Sequence, residues 1–315
     1  MIRRSAKIID RENPALLKKA VKNPVELRNL RRAHVLDGLA VTRTIRHVKE
    51  NLGKIPLTEC GVGELADRFR RELGCLYPSF DTICGYGEHG AIMHYSAAPE
   101  TDAEIRPGSF LLLDSGGQYY EGTTDITRTI ACGEIPAEMK KHFALVLTAL
   151  FNLSEARFLH GCSGLNLDVL ARQPLWQAGL DYKHGTGHGV GYLSTVHEGP
   201  NSFRWRQTPG RNEATILEEG MVTSDEPGLY FEGRYGIRLE NEVACRKGEQ
   251  NEYGQFMYFE TLTLAPLDLD ALNPADLNEE TRARLNAYHE RVYQSLSPLM
   301  EEEERAWLRH YTRRV

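Results

Sequence analysis

Three observations predict an α+β protein made of two related halves. Helix-forming stretches open and close the chain. Glycine-punctuated, β-rich stretches lie on either side of a central helical block. Two pairs of carboxylates, Asp114 with Asp125 and Glu226 with Glu240, sit at matching places in those β-rich stretches, as a duplicated half would place them. At 315 residues the chain has ample length for a core, in one large domain or two ordinary ones.

Residues 1–22 are polar and irregular and read as an incoming linker. Asn23-Pro24-Val25-Glu26 then supplies a helix start, with Asn as N-cap, Pro at the first position and Glu at the third. Leu27, Leu30, Val41, Ile45 and Val48 follow at helical spacing and predict an amphipathic stripe ending near Lys54. Thr58 caps a second helix, with Val62, Leu65, Phe69 and Leu73 inward and Gly74 as its stop. Residues 80–129 read as strands and glycine turns, 136–153 as a helix, and 166–180 as mostly helix that Pro174 should end or kink. Strands return over 182–265, and an acidic tail carries candidate helices at 277–296 and 299–311. The expected organisation is a linker over 1–22, a main domain over 23–265 and a helical C-terminal extension over 266–315.

Composition removes several function classes. The net charge of -6, from 38 basic and 44 acidic residues, argues against an electrostatic footprint for nucleic acid. Six scattered cysteines without a CxxC point to a reduced compartment, not to disulfides or a thiolate metal site. The first residues lack the apolar core of a signal peptide, and the longest apolar stretch, 143–153, is too short to span a bilayer. A cytoplasmic protein without membrane partners is the expectation.

The chemistry resides in the carboxylates. Asp114 and Asp125 are eleven residues apart, Glu226 and Glu240 fourteen, and between the pairs runs His184-Gly-Thr-Gly-His188-Gly-Val-Gly. If each pair spans a β-hairpin, its two members lie roughly opposite on adjacent strands, about 5 Å apart at Cβ. Carboxylates so placed can bridge two ions about 3.5–4 Å apart, as in two-metal hydrolases. Each acid taken singly is best explained as a surface residue. Jointly that explanation weakens, because Asp114 ends the apolar run Phe110-Leu-Leu-Leu and Glu240 follows Gly-Ile-Arg-Leu. A buried carboxylate needs a partner, and four converging ones cannot all ionise without cations. His184 and His188 have the i, i+4 spacing of a helical zinc pair, but the interleaved glycines favour a strand or loop, with His188 the better candidate ligand. Gly85-Tyr-Gly-Glu-His-Gly90 matches a dinucleotide fingerprint formally, but no helix is expected after it. Asn152-Leu-Ser154 matches a glycosylation acceptor inside an expected helix.

Six segments together resemble Xaa-Pro aminopeptidase (aminopeptidase P): Asp114-Ser-Gly-Gly-Gln-Tyr, Gly122-Thr-Thr-Asp125-Ile-Thr-Arg-Thr129, the His184–Gly191 stretch, Val196-His197-Glu-Gly-Pro200, Asp225-Glu226-Pro-Gly-Leu-Tyr230 and Gly236-Ile-Arg-Leu-Glu240. The resemblance runs from about Ala20 to the C-terminus, and the segment Phe259–Asp268 with its helical tail is similar to the extension of the three-domain type. It implies the pita-bread fold, shared with methionine aminopeptidase, prolidase and creatinase, over a catalytic metallopeptidase domain. By motif, Asp114 would be a terminal ligand of one ion, Asp125 and Glu240 would bridge both, and His188 and Glu226 would complete the other. His94, His184 and His197 match histidines that position substrate and stabilise the oxyanion, while Tyr230 and Arg238 match residues lining the site for the penultimate proline. Peptides with proline second would be the substrates, and a homodimer is implied. Three-domain members carry two further domains before the position of residue 20, so the chain is expected to be either a catalytic fragment or a single-domain form.

One nitrogen among many oxygens is a hard ligand set, which favours two Mn(II) ions over zinc, with cobalt or iron as the alternatives. The expected reaction is attack by a bridging hydroxide on the carbonyl before proline, with Glu226 shuttling the proton. Prolidase or methionine aminopeptidase on the same fold is the first alternative, an inactive fragment or a metal-free binding protein the second.

Overall fold

The computed structural model describes residues 13–208 and 214–315. A short helix, α1 (Pro14–Ala20), precedes the first half, which consists of α2 (Pro24–Asn51), α3 (Glu59–Glu72), β1 (Tyr77–Pro78), β2 (Ile83–Tyr86), β3 (Ser109–Ser115), β4 (Gly117–Tyr119), β5 (Gly122–Thr123) and β6 (Ile126–Cys132). The second half comprises α4 (Ala137–Ser154), β7 (Arg157–Leu159), α5 (Gly164–Gln177), β8 (Gly187–His188), β9 (Ser202–Phe203), β10 (Val222–Asp225), β11 (Gly228–Phe231), β12 (Tyr235–Arg238), β13 (Asn241–Asn251) and β14 (Gly254–Thr261). Helices α6 (Glu279–Leu296) and α7 (Glu302–Tyr311) form the tail. The class is α+β, and both halves present helices followed by an antiparallel sheet, β2-β3-β6 in the first and β10-β13-β14-β7 in the second.

Local chemistry explains the boundaries. Asn23 closes a capping box with Glu26 at the start of α2, Thr58 accepts from the Gly61 amide at the start of α3, and Gly74 takes a positive φ of 90° after it. One expectation is corrected, and one of the two alternatives for Pro174 is removed. Residues 14–20 of the supposed linker are helical, because Asn13 caps them and Pro14 opens the first turn; residues 1–12 of that linker lie outside the described residues. Pro174 does not end α5, which runs on to Gln177. Ala171 and Leu175 are fully buried and hold that turn against the core, and the chain turns away at Gly179, φ 72°.

One large apolar cluster joins Phe143, Leu147 and Leu150 of α4, Ile237 of β12, and Leu285, Val292, Leu296 and Leu308 of the tail. The tail therefore shares a core with the sheet that carries Arg238. Each such side chain contributes about 1.5–3 kcal/mol on burial. Arg128 of β6 is fully buried and donates to the carbonyls of Glu240 and Ala265 and to Tyr288 Oη of α6. Helix α2 crosses the chain at Gly38, where a Cβ would fall 1.9 Å from the Leu264 carbonyl oxygen.

Candidate metal centre

The two carboxylate hairpins differ in register. In the first, Asp114 pairs with Thr127 and Ser115 with Ile126. Asp125 is therefore set diagonally from Asp114, two residues along and on the same face. This corrects the expected opposition, because the tight turn is centred on Tyr120 and Glu121, between paired Tyr119 and Gly122. In the second, the β10–β13 ladder ends at Asp225 opposite Asn241, and the β11–β12 ladder begins at Gly228 opposite Arg238. Both ladders share one register, which carries Glu226 opposite Glu240 across the break at Pro227.

The halves are sewn together at this point. The Glu240 amide donates to the Thr127 carbonyl across the halves (3.1 Å), while within the second half the Glu226 amide donates to that of Thr186 (2.8 Å). The Arg238 amide and Thr129 Oγ1 are 3.1 Å apart, and Thr127 Oγ1 donates to Glu240 Oε2 at 2.8 Å. Ligand atoms of Asp125, His188 and Glu240 lie within 4.8 Å of one another. His188 Nε2 is 3.4 Å from Asp125 Oδ2 and 3.6 Å from Glu226 Oε1. Asp114 joins through Arg238, whose Nη2 is 2.5 Å from its Oδ2.

The electrostatics are those of a site short of positive charge. Burial, then repulsion from Asp114 and Glu226, raises the Asp125 carboxyl well above the usual range. Burial, then Asp125, does the same to Glu240, and burial raises Glu226 against the pull of His188 and Arg238. Asp114 Oδ1 and Glu240 Oε1 are buried without a hydrogen-bond partner. His188 Nδ1 lies 3.0 Å from the Gly189 carbonyl oxygen. A carbonyl can only accept, so Nδ1 carries the proton and Nε2 is aimed at two carboxylates. Only a proton or a cation can stabilise that arrangement. These residues fit a pair of divalent ions.

Beside the cluster runs an ordered chain of hydrogen bonds. Arg238 Nη1 donates to Tyr230 Oη (2.9 Å), and Tyr230 Oη lies 2.9 Å from His184 Nε2. His184 Nδ1 is 2.7 Å from the Gly185 carbonyl oxygen, so Nδ1 holds the proton and Nε2 accepts from Tyr230. Burial, then the Arg238 charge, pulls His184 down to about 3, and burial pushes Tyr230 up to about 12. Both are neutral at pH 7. The exposed His197 ring stands edge-on to His188 with centroids 4.2 Å apart. His94 is exposed after the 3-10 turn Gly87–Ala91, which abuts β12: a Cβ on Gly236 would fall 1.7 Å from the Gly90 carbonyl oxygen.

Two supporting acids escaped the sequence reading. Glu242 Oε1 accepts the Asp125 amide at 2.7 Å while its Oε2 lies 3.3 Å from His34 Nε2. Glu59 is fully buried and accepts from the amides of Tyr86 and Ala103 and from Tyr95 Oη, next to His94. The signal for Glu242 was its i+2 spacing from Glu240 on a strand, which puts both on one face.

Residues 28–247 match metallopeptidase family M24, and residues 255–315 match the C-terminal region of peptidase M24. Aminopeptidase P2 of Arabidopsis thaliana is 40% identical over 308 residues, covering 96% of this chain and 43% of the relative. A probable Xaa-Pro aminopeptidase P of Laccaria bicolor is 39% identical over 298 residues, 92% of this chain and 46% of its own. Among solved structures, the X-prolyl aminopeptidase of Caenorhabditis elegans, described as a cytosolic enzyme with a di-nuclear active site, matches with TM-score 0.90 at 34% identity, over 96% of this chain and 50% of that one. The Pyrococcus furiosus prolidase matches with TM-score 0.66 at 26% identity, over 79% of this chain and 66% of that one. The chain thus spans about half the length of the aminopeptidases it resembles. No helix among the described residues is long and apolar enough to cross a membrane.

Proposed function

Because the chain belongs to metallopeptidase family M24 and has its pita-bread fold, we propose that it is a metal-dependent hydrolase that removes the first residue of peptides with proline second. The observation that carries this reading is the placement of His188, whose Nδ1 faces the Gly189 carbonyl oxygen and whose Nε2 faces Asp125 and Glu226 in a cluster already short of positive charge. The resemblance to X-prolyl aminopeptidase covers nearly all of the chain and the prolidase match less of it, which favours longer peptides over dipeptides.

Two divalent ions, with Mn(II) suited to the oxygen-rich donor set, would be held by Asp114, Asp125, His188, Glu226 and Glu240, with Asp125 and Glu240 between them. When bound, they would supply an activated hydroxide and charge stabilisation for the developing oxyanion. Glu226 would be the base that takes and returns the proton. His197 and His94 stand exposed at the cleft to orient the peptide and donate to its carbonyl oxygen. Neutral His184 and protonated Tyr230, ordered by Arg238, line the wall for the proline ring without adding charge. A cytoplasmic location and a homodimer through the tail complete the proposal.

The test is hydrolysis of Arg-Pro-Pro by apo protein titrated with Mn(II), alongside Met-Ala-Ser and an Xaa-Pro dipeptide. Metal-dependent release of Arg with the other two spared is expected. Release of Met, or cleavage of the dipeptide alone, would move the chain to a sister activity.

A further inference from the structure

The loop that presents His197 is anchored by the residue that follows it. Glu198 turns inward and is 5% exposed. Its carboxylate meets two lysines from the segment ahead of α2: Lys22 Nζ is 3.6 Å from Oε1, and Lys19 Nζ contacts Oε2. Lys22 is itself 4% exposed, and its Nζ also donates to the Val190 carbonyl at 2.5 Å, two residues past His188. The backbone fixes Lys22 in turn. Its amide donates to the Gly220 carbonyl at 2.9 Å, Val21 bridges Met221, and a Cβ on Gly220 would fall 2.4 Å from the Lys22 carbonyl oxygen.

The loop is held from its other sides as well. The Glu198 amide donates to the Gly189 carbonyl (2.7 Å), and Gln118 Nε2 donates to that of Ser194 (2.6 Å). Lys19 Nζ lies 3.1 Å from Ser194 Oγ. The buried ions sit at the root of the loop and His197 sits at its crown against His188. An ammonium and a carboxylate taken out of water together cost desolvation on both, and removing one partner strands the other. Lys19 is half exposed, so its contact is the weaker one.

We infer that Lys22 is a positioning residue for the proposed hydrolysis: acting through Glu198, it holds the His197 loop in place over His188, which makes the segment ahead of α2 part of the active site. The inference rests on the metallopeptidase reading for the role of His197, not for the ion pair itself. Lys22 touches no substrate, and its effect passes through the loop.

The variants Lys22→Met, Lys22→Arg and Glu198→Gln, made in the wild-type and His197→Ala backgrounds, test it. With Mn(II) bound, Lys22→Met should lose about 10–100-fold in kcat on Arg-Pro-Pro, the range for a group that orients a functional one. Bound metal per chain should be unchanged, Lys22→Arg should recover part of the loss, and the His197→Ala background should show no further fall. Wild-type kcat in Lys22→Met, or an equal fold-loss without His197, overturns the inference. Amide exchange over 189–201 provides a readout independent of turnover. It should accelerate in Lys22→Met and in the isosteric Glu198→Gln, with α4 unchanged. Unaltered exchange overturns the inference even if the wild-type chain proves inactive, whereas faster exchange in an inactive wild-type background would leave the ion pair standing and count against the metallopeptidase reading.

Discussion

The two hairpins that carry the candidate ligands reach the same cleft by different local means. The first is two antiparallel ladders of one register, parted at Gly116 on one strand and at Thr124 and Asp125 on the other, with a tight turn at Tyr120 and Glu121, and its carboxylates are set diagonally. The second is interrupted at Pro227, and its carboxylates face each other across the gap between two ladders of one register. Proline cannot donate to a ladder, so the break frees the Glu226 amide to bind the Thr186 carbonyl and aims the side chain inward. The charges differ too. Asp114 has the Arg238 guanidinium, whereas Asp125, Glu226 and Glu240 are all raised by burial and crowding. Among the described residues, the Arg238 guanidinium is paired with Asp114 and only partly offsets the charge on Asp125 and Glu226, so the remaining deficit falls on Asp125, Glu226 and Glu240.

The strongest way to break this comparison is to remove the second half's contribution. His188→Ala or Glu226→Ala should abolish turnover of Arg-Pro-Pro. Glu226→Gln, which keeps the volume but not the base, should cost about 10²–10⁴ in kcat. Full activity in either alanine variant, measured with saturating Mn(II), would remove the proposed centre. The apo protein gives the next largest signal, through pH. Asp125, Glu226 and Glu240 have folded pKa values raised above their unfolded ones, so the folded chain retains protons that the unfolded chain has released. Stability of the metal-free chain should therefore fall as pH rises from about 4, the ordinary carboxylate range, through those raised values. Bound metal should remove or reverse that slope. Thermal melts of chelator-treated and Mn(II)-loaded protein at pH 5, 6, 7 and 8 check it, and parallel slopes would mean that the ions do not bind these groups.

The built-in cation can be tested separately. Arg238→Met removes the partner of Asp114 and the donor that orders Tyr230 and His184. Metal affinity should fall by about 10–100-fold, more at the Asp114 end than at the His188 end. Titration calorimetry should then resolve one weakened and one largely intact binding event. Equal weakening of both would show that the halves are not electrically distinct.

Much of this was legible in the residues themselves. Four acids in two pairs, each beside an apolar run, with a histidine between glycines, mark the cluster because burial demands partners for them. The helix starts at Asn23 and Thr58 were legible for a local reason, since capping is decided within four residues. What escaped depends on distant contacts. Residues 14–22 read as linker because lysines are rarely buried, and nothing local shows that Lys22 finds Glu198 176 residues on. The hairpin register was missed by two because the turn residue pair, not the midpoint of the acids, sets it. Pro174 was judged by its intrinsic penalty, while Ala171 and Leu175 beside it are buried against residues distant in the chain.

The smallest expected effect concerns the tail, which separates stability from chemistry in the same comparison. Tyr288 Oη of α6 accepts from Arg128 Nη2 at 2.8 Å, and Arg128 also donates to the Glu240 carbonyl. Oη in turn donates to a carbonyl, with that of Thr263 at 3.1 Å. Tyr288→Phe keeps the ring against Phe151 but leaves those buried groups one partner short, a loss of about 1–3 kcal/mol. Arg128 retains its bonds to the Glu240 and Ala265 carbonyls, so the backbone at Glu240 should hold its place. Denaturant unfolding should show the loss of stability, and kcat on Arg-Pro-Pro should stay within about twofold, since only an uninvolved scaffold contact has gone. A fall in kcat of tenfold or more would mean that the tail sets the geometry of the second-half carboxylates and does not merely cover their sheet.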